Sequence, residues 1–141
     1  MVVLPAASRG EIEAFVCKGY PYETCGVMLG RTDDSKNIVT GVRQLTNTNT
    51  ERANDRFEMD PDEMFSVQEE ARGAGEEVVG IWHSHPDHPA RPSQTDLDKA
   101  WPMWSYIIAS VTKEGMNALT SWRLADGEEK RFENEEIVTH E

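Results

Sequence analysis

The residues whose chemistry stands out lie in one segment, Trp82-His83-Ser84-His85-Pro86-Asp87-His88-Pro89-Ala90-Arg91-Pro92-Ser93-Gln94-Thr95-Asp96, which carries three of the chain's four histidines. In an extended strand, residues two apart face the same way, so His83 and His85 project together. Two neutral imidazoles at that spacing suit a borderline-soft cation such as Zn²⁺. Asp96 is a candidate third ligand, set on the first turn of a helix that Ser93 would cap. Three protein ligands leave the fourth tetrahedral position for water, and bound zinc lowers that water's pKa to about 7. The chemistry pointed to is metal-assisted hydrolysis with one zinc per chain.

Each part of the pattern also has a plainer explanation. Ser93-x-x-Asp96 is an ordinary capping box, and taken alone it reads as one. A lone His-x-His is a weak signal; its weight comes from the strand, the loop stiffened by Pro86, Pro89 and Pro92, and the capped helix falling together. His88 is out of phase with the pair and reads as exposed or as a partner behind it. His140 has no assigned role. Glu23 sits at the mouth of the otherwise uncharged stretch 24–30, but it is one of 26 acids, and no spacing argument brings it near His83. Cys25 shares the face of Glu23 if the strand starts there; it reads as a small buried core residue.

The elements that must position these groups follow from pattern. Ser8-Arg9-Gly10-Glu11 reads as a capping box opening a helix, with Ile12, Phe15 and Val16 as its apolar stripe and Gly19 as its stop. Residues 26–29 and 38–45 read as strands, and 46–55 as a polar loop. A short strand around Phe57 leads to Asp60-Pro61-Asp62-Glu63, a cap with Pro at the first helical position, opening a helix to about Gly73. Residues 77–83 form the clearest strand, with Val79 and Ile81 on the face of the histidines. A third helix starts after Ser93, carries Leu97, Ala100 and Trp101 at helical spacing, and stops at Pro102. Strands over 106–111, 117–124 and 132–138 complete an α/β domain, 1–141, built on one mixed sheet.

Composition sets the class. At 141 residues there is chain for one compact core. The net charge of −12 repels phosphate backbones, so nucleic acid is not the expected partner. The short apolar opening Met1-Val2-Val3-Leu4-Pro5 is no signal peptide and no run reaches a membrane span, so the expected location is the cytoplasm, with no membrane partner. Two cysteines, Cys17 and Cys25, make no disulfide framework and read as free thiols.

His83-x-His85-x(7)-Ser93-x-x-Asp96 with Glu23 upstream resembles the full signature of the JAMM (MPN-plus) metalloproteases. The likeness extends through Tyr22-Glu23-Thr24-Cys25-Gly26, Arg56-Phe57-Glu58-Met59-Asp60-Pro61, Val79-Gly80-Ile81-Trp82 and Ser121-Trp122-Arg123-Leu124. It is similar to the short stand-alone prokaryotic branch that includes cysteine-releasing peptidases of ubiquitin-like sulfur carriers. The resemblance implies a mixed sheet flanked by helices, similar to the cytidine-deaminase fold. It implies His83, His85 and Asp96 as zinc ligands and Glu23 as the group that takes a proton from water and passes it to the leaving amine. Ser93 would hydrogen-bond the tetrahedral intermediate.

The function implied is hydrolysis after the C-terminal Gly-Gly of a ubiquitin-like sulfur-carrier protein, releasing cysteine or another small amine. Only nine residues, 97–105, separate Asp96 from the next strand, so no insertion is there to hold a second protein. The alternative is a catalytically silent MPN-type scaffold, which usually lacks ligands that this chain keeps. A zinc deaminase needs His-x-Glu and Pro-Cys-x-x-Cys, and neither occurs. A DNA-repair branch with a similar His-x-His motif fits poorly with the acidic charge.

Overall fold

The computed structural model describes residues 1–53 and 56–140. Strand β1 (Val2–Val3) and helix α1 (Ala6–Gly19) are followed by β2 (Cys25–Asp33), β3 (Lys36–Leu45), α2 (Pro61–Gly73) and β4 (Glu77–Pro86). Then come the short helix α3 (Gln94–Lys99), β5 (Ser105–Thr112), β6 (Gly115–Leu124), β7 (Phe132–Glu135) and β8 (Ile137–Val138). The strands form one mixed sheet in the order β7-β6-β5-β4-β2-β3-β1-β8. β4 runs parallel to β5, and antiparallel to β2 on its other side.

The sheet is apolar on both faces, and each face has its helix. Ile12 and Val16 of α1 pack with Met28, Val39, Trp82 and Ile107. Val67 and Ala71 of α2 pack with Val27, Leu29, Leu45 and Val78 on the other face. The mixed sheet flanked by helices read from the sequence is the observed architecture. No helix among the described residues is long and apolar enough to cross a membrane.

Several local expectations are corrected. The Ser8 capping box does not form: α1 starts at Ala6 after Pro5, and Ser8 is buried inside it. Phe57 is not in a strand; the segment makes only an isolated bridge, Asn47 to Met59. Asn54 and Asp55, the end of the predicted polar loop, lie outside the described residues. α3 ends at Lys99, leaving Trp101 outside the helix and exposed. The predicted strand 132–138 is two strands, β7 and β8, on opposite edges of the sheet. Glu135 causes the break, because its buried carboxylate accepts from Ser121 Oγ at 2.9 Å while the next residue's carbonyl accepts from Val2. The two edges are thereby brought within one residue of each other, and the sheet curls almost closed.

One correction bears on the site. Val79 does not share the histidine face. Met28 pairs with Gly80 but Leu29 pairs with Val78, so Val79 is the extra residue of a β-bulge. Val79 therefore joins Trp82 on the α1 side, while Val78 and Ile81 face α2 with the histidines above them.

Close strand approach at Gly26 keeps β2 against β4. A β-carbon there would run into the Arg43 carbonyl and the Trp82 indole, which itself stacks on Phe15. Gly26→Ala is expected to lower stability by about 1–3 kcal/mol, as core overpacking does. Urea unfolding would read this, and an unchanged midpoint would show that the contact is slack.

Candidate metal centre

The register of β2 on β4 builds the site. Cys25 lies opposite His83, and the pairing runs on beyond β2: Ser84 N–H donates to the Thr24 carbonyl at 2.9 Å, and Thr24 N–H donates to Ser84 Oγ at 2.8 Å. Ser84, between the two histidines, thus ties down the strand end that carries Glu23. That continuation sets Glu23 opposite His85 on the same face, a long-range placement that no local spacing encodes. All five residues singled out in the sequence, Glu23, His83, His85, Ser93 and Asp96, line one groove of about 860 Å³.

Within the groove three side chains converge. His83 Nε2 and His85 Nε2 are 3.1 Å apart. Asp96 reaches both, with Oδ1 at 3.4 Å from the first and Oδ2 at 3.4 Å from the second. A tetrahedral zinc with ligand bonds of about 2.0–2.1 Å has ligand–ligand edges of about 3.3 Å. The nitrogen–nitrogen separation and the approach of one Asp96 oxygen to each nitrogen are near that edge, so these residues could share one cation. A carboxylate oxygen of Glu23 also lies within 4.8 Å of the histidine donor atoms.

Each of the three is oriented from behind. The Ser93–Asp96 capping box is present in full: Asp96 N–H donates to Ser93 Oγ at 3.0 Å, and Ser93 N–H donates to Asp96 Oδ2 at 2.8 Å. The cap that offered a plain explanation of the motif is the device that aims Asp96 at the histidines. His85 Nδ1 lies 2.9 Å from the Pro89 carbonyl, which fixes Nδ1 as the protonated nitrogen and leaves the Nε2 lone pair for the groove. The loop behind it is pinned carbonyl by carbonyl, Ser110 Oγ donating to His88 and Thr120 Oγ1 to Ala90, both at 2.6 Å. His83 is held by packing instead. Its Nδ1 is buried without a partner among the described residues, and Phe57 stacks on the ring at 4.6 Å.

Burial and charge tune these groups in different directions. Burial lowers the His83 pKa, against the hydrogen bond and charge of Asp96. Burial also pulls His85 down, but Asp96, the Pro89 carbonyl and the charge of Glu23 outweigh it and raise the imidazole. Burial works against ionised Asp96, yet the two histidines and the Ser93 N–H hold its carboxyl well below the usual range. A carboxylate favoured in its ionised form beside His83, whose burial favours the neutral imidazole, matches the protonation states that a cation requires of such ligands.

Sequence reasoning missed Asn47. Its Nδ2 donates to the carbonyls of Glu23 at 3.2 Å and Arg56 at 3.0 Å, and its Oδ1 accepts from Asn49 N–H at 3.0 Å and Glu58 N–H at 3.1 Å. It therefore joins the Glu23 backbone to the segment that carries Phe57. Nothing distinguishes it in sequence from the other polar residues of its loop. His88 is exposed, as its phase implied.

Cys25 lies beside the site but is chemically quiet. Burial, with the charges of Glu23 and Glu63, pushes its thiol up to about 12, so it stays protonated at neutral pH and is a poor nucleophile. Thiol labelling of the native protein is expected to modify exposed Cys17 alone, and both cysteines after unfolding. Rapid native labelling of Cys25 would contradict this burial.

A desampylase from Haloferax volcanii is 38% identical over 91 residues, 64% of this chain and 63% of that protein. The chain thus spans less than two thirds of that relative. A CysO-cysteine peptidase from Mycobacterium tuberculosis is 30% identical over 128 residues, covering 90% of this chain and 85% of the relative. A solution structure of a protein from Desulfitobacterium hafniense superposes with a TM-score of 0.86 at 31% identity, over 100% of this chain and 94% of that one. The model describing prokaryotic homologs of the JAB domain matches residues 5–125, and the chain belongs to that family.

Proposed function

We propose that residues 1–141 act as one JAMM-type zinc peptidase domain, hydrolysing the amide bond after a C-terminal Gly-Gly of a ubiquitin-like sulfur-carrier protein. The products would be the carrier and cysteine or another small amine. The single observation that carries the reading is the convergence of His83 Nε2 and His85 Nε2, 3.1 Å apart, with one Asp96 oxygen 3.4 Å from each. The family, and relatives that include a desampylase and a CysO-cysteine peptidase, support the substrate class.

His83, His85 and Asp96 would hold one zinc ion per chain. Bound there, zinc would polarise the scissile carbonyl and acidify a water. Glu23 accepts the proton of the attacking water and delivers it to the departing amine nitrogen, so its carboxylate ends as it began. Burial of Glu23 keeps bulk water from competing for that proton. Ser93 Oγ spends one lone pair on the Asp96 N–H, and its own proton is left to donate to the carbonyl oxygen as charge builds there. The groove also presents Ile81, Met59, Met64 and Trp104, an apolar wall along which a tail without side chains passes close to the ligands.

Two measurements test the reading. Native protein is expected to carry one zinc by elemental analysis and His85→Ala none; equal zinc in both would remove His85 from the centre. Glu23→Gln is expected to keep zinc and fold and lose roughly 10²- to 10⁴-fold in turnover of a carrier–cysteine conjugate. Near-normal turnover would mean that another group moves the proton. Faster cleavage of a generic unstructured peptide than of the conjugate would make the protein a broad peptidase.

A further inference from the structure

Among the described residues, the groove's lining holds more cations than acids, the reverse of the chain as a whole. The protein holds 26 acids against 14 lysines and arginines. The groove is lined by Arg52, Arg56, Arg91 and Lys99 against Glu23, Glu58 and Asp96. Two of those three acids belong to the candidate centre, and Glu58 is the one other acid of the lining among the described residues.

Lys99 is the most specifically placed of the four. It stands three residues beyond Asp96 on α3, so the two side chains leave the same face of the helix. An acid and a lysine so spaced ordinarily close an ion pair. Here Asp96 turns both oxygens away, toward His83, His85 and the Ser93 N–H. The other acid of the helix, Asp98, accepts from Gln94 Nε2 at 2.8 Å. Lys99 is exposed and has no ion-pair partner among the described residues, and the same holds for Arg91, which enters the groove from the pinned loop. Two cations without an ion-pair partner among the described residues therefore line the same groove as the histidines and Asp96.

An α-linked terminal amino acid carries its carboxylate on the carbon next to the scissile nitrogen. A lysine side chain joined through its ε-amine has no charge there. We propose that Lys99, together with Arg91, reads the free carboxylate of the departing residue, so the enzyme trims a single terminal amino acid in preference to opening isopeptide bonds. This rests on the hydrolase reading above and names the leaving group for the same site. A charge-assisted hydrogen bond to a carboxylate implies a preference of roughly 10- to 100-fold.

The test uses one ubiquitin-fold carrier ending in Gly-Gly in three forms: extended by cysteine with a free carboxylate, extended by cysteine carboxamide, and joined to the ε-amine of lysine in a terminally blocked peptide. The zinc-loaded protein should cleave the acid at least about tenfold better in kcat/KM than the other two. That ratio should collapse toward one in Lys99→Met with Arg91→Met. The same acid-over-amide ratio should appear in the affinity of the Glu23→Gln protein for the conjugates. Equal wild-type handling of acid and amide would overturn the assignment, as would a double variant that weakens both while keeping the ratio. That last result would mean the cations read the carrier body. Cleavage of none of the three would overturn the hydrolase reading, and the binding ratio would still decide the carboxylate assignment by itself.

Discussion

Two imidazole nitrogens and a carboxylate held within 3.4 Å of one another are an arrangement that only a shared positive charge makes favourable. Left to themselves, a buried His83 and an ionised Asp96 would each seek a separate partner, and a nitrogen 3.1 Å from another can satisfy it only as a donor. The surrounding structure overrides that tendency. β4 fixes the spacing of the histidines, the cap on α3 aims Asp96, the Pro89 carbonyl sets the tautomer of His85, and Phe57 wedges His83 in place. Each of the three side chains is thus held by its own support, which is how a site of this kind avoids reorganising during turnover.

The parts of this site legible in the sequence were the local ones. His83 and His85 are two apart on a strand whose apolar run is unmistakable, and Ser93-x-x-Asp96 announces a helix start. The competing explanations of that second motif turned out to be one object, because the cap and the aim of Asp96 are the same pair of hydrogen bonds. Glu23 was different in kind. Its nearness to His85 depends on β2 pairing antiparallel with β4 in one register, a contact between residues about sixty positions apart, and only family resemblance anticipated it. Asn47 was invisible for the same reason: its four hydrogen bonds have meaning only after the chain has folded around it.

The errors also share a cause. Strict alternation along 77–83 put Val79 with the histidines, and the bulge reversed it, since one inserted residue exchanges the faces of everything before it. Residues 132–138 read as one strand in sequence; the structure splits them at the buried Glu135 between two edges of the sheet. At α1 the Ser8 capping box lost to a helix start three residues earlier, after Pro5, which leaves Ser8 buried inside the helix. In each case tertiary packing overruled a correct local preference.

Five of the ten buried polar residues among the described ones gather at the candidate site. Glu23, Thr24, His83, Ser84 and Ser110 are all buried, and they lie in or beside the ends of β2, β4 and β5. Replacing Ser84 or Ser110 by an apolar residue would spare their desolvation, yet each hydroxyl holds a backbone group that an aliphatic side chain could not hold: the Thr24 N–H and the His88 carbonyl. The same logic explains the loop at 86–92. Its prolines remove backbone donors, so its shape cannot come from strand pairing, and hydroxyls from β5 and β6 capture its carbonyls instead. Rigidity around His85 and Asp96 therefore comes from side chains reaching out of the sheet rather than from extension of the sheet itself. This leaves the groove beside His85 and Asp96 open to a substrate, where a longer strand or helix would have closed it.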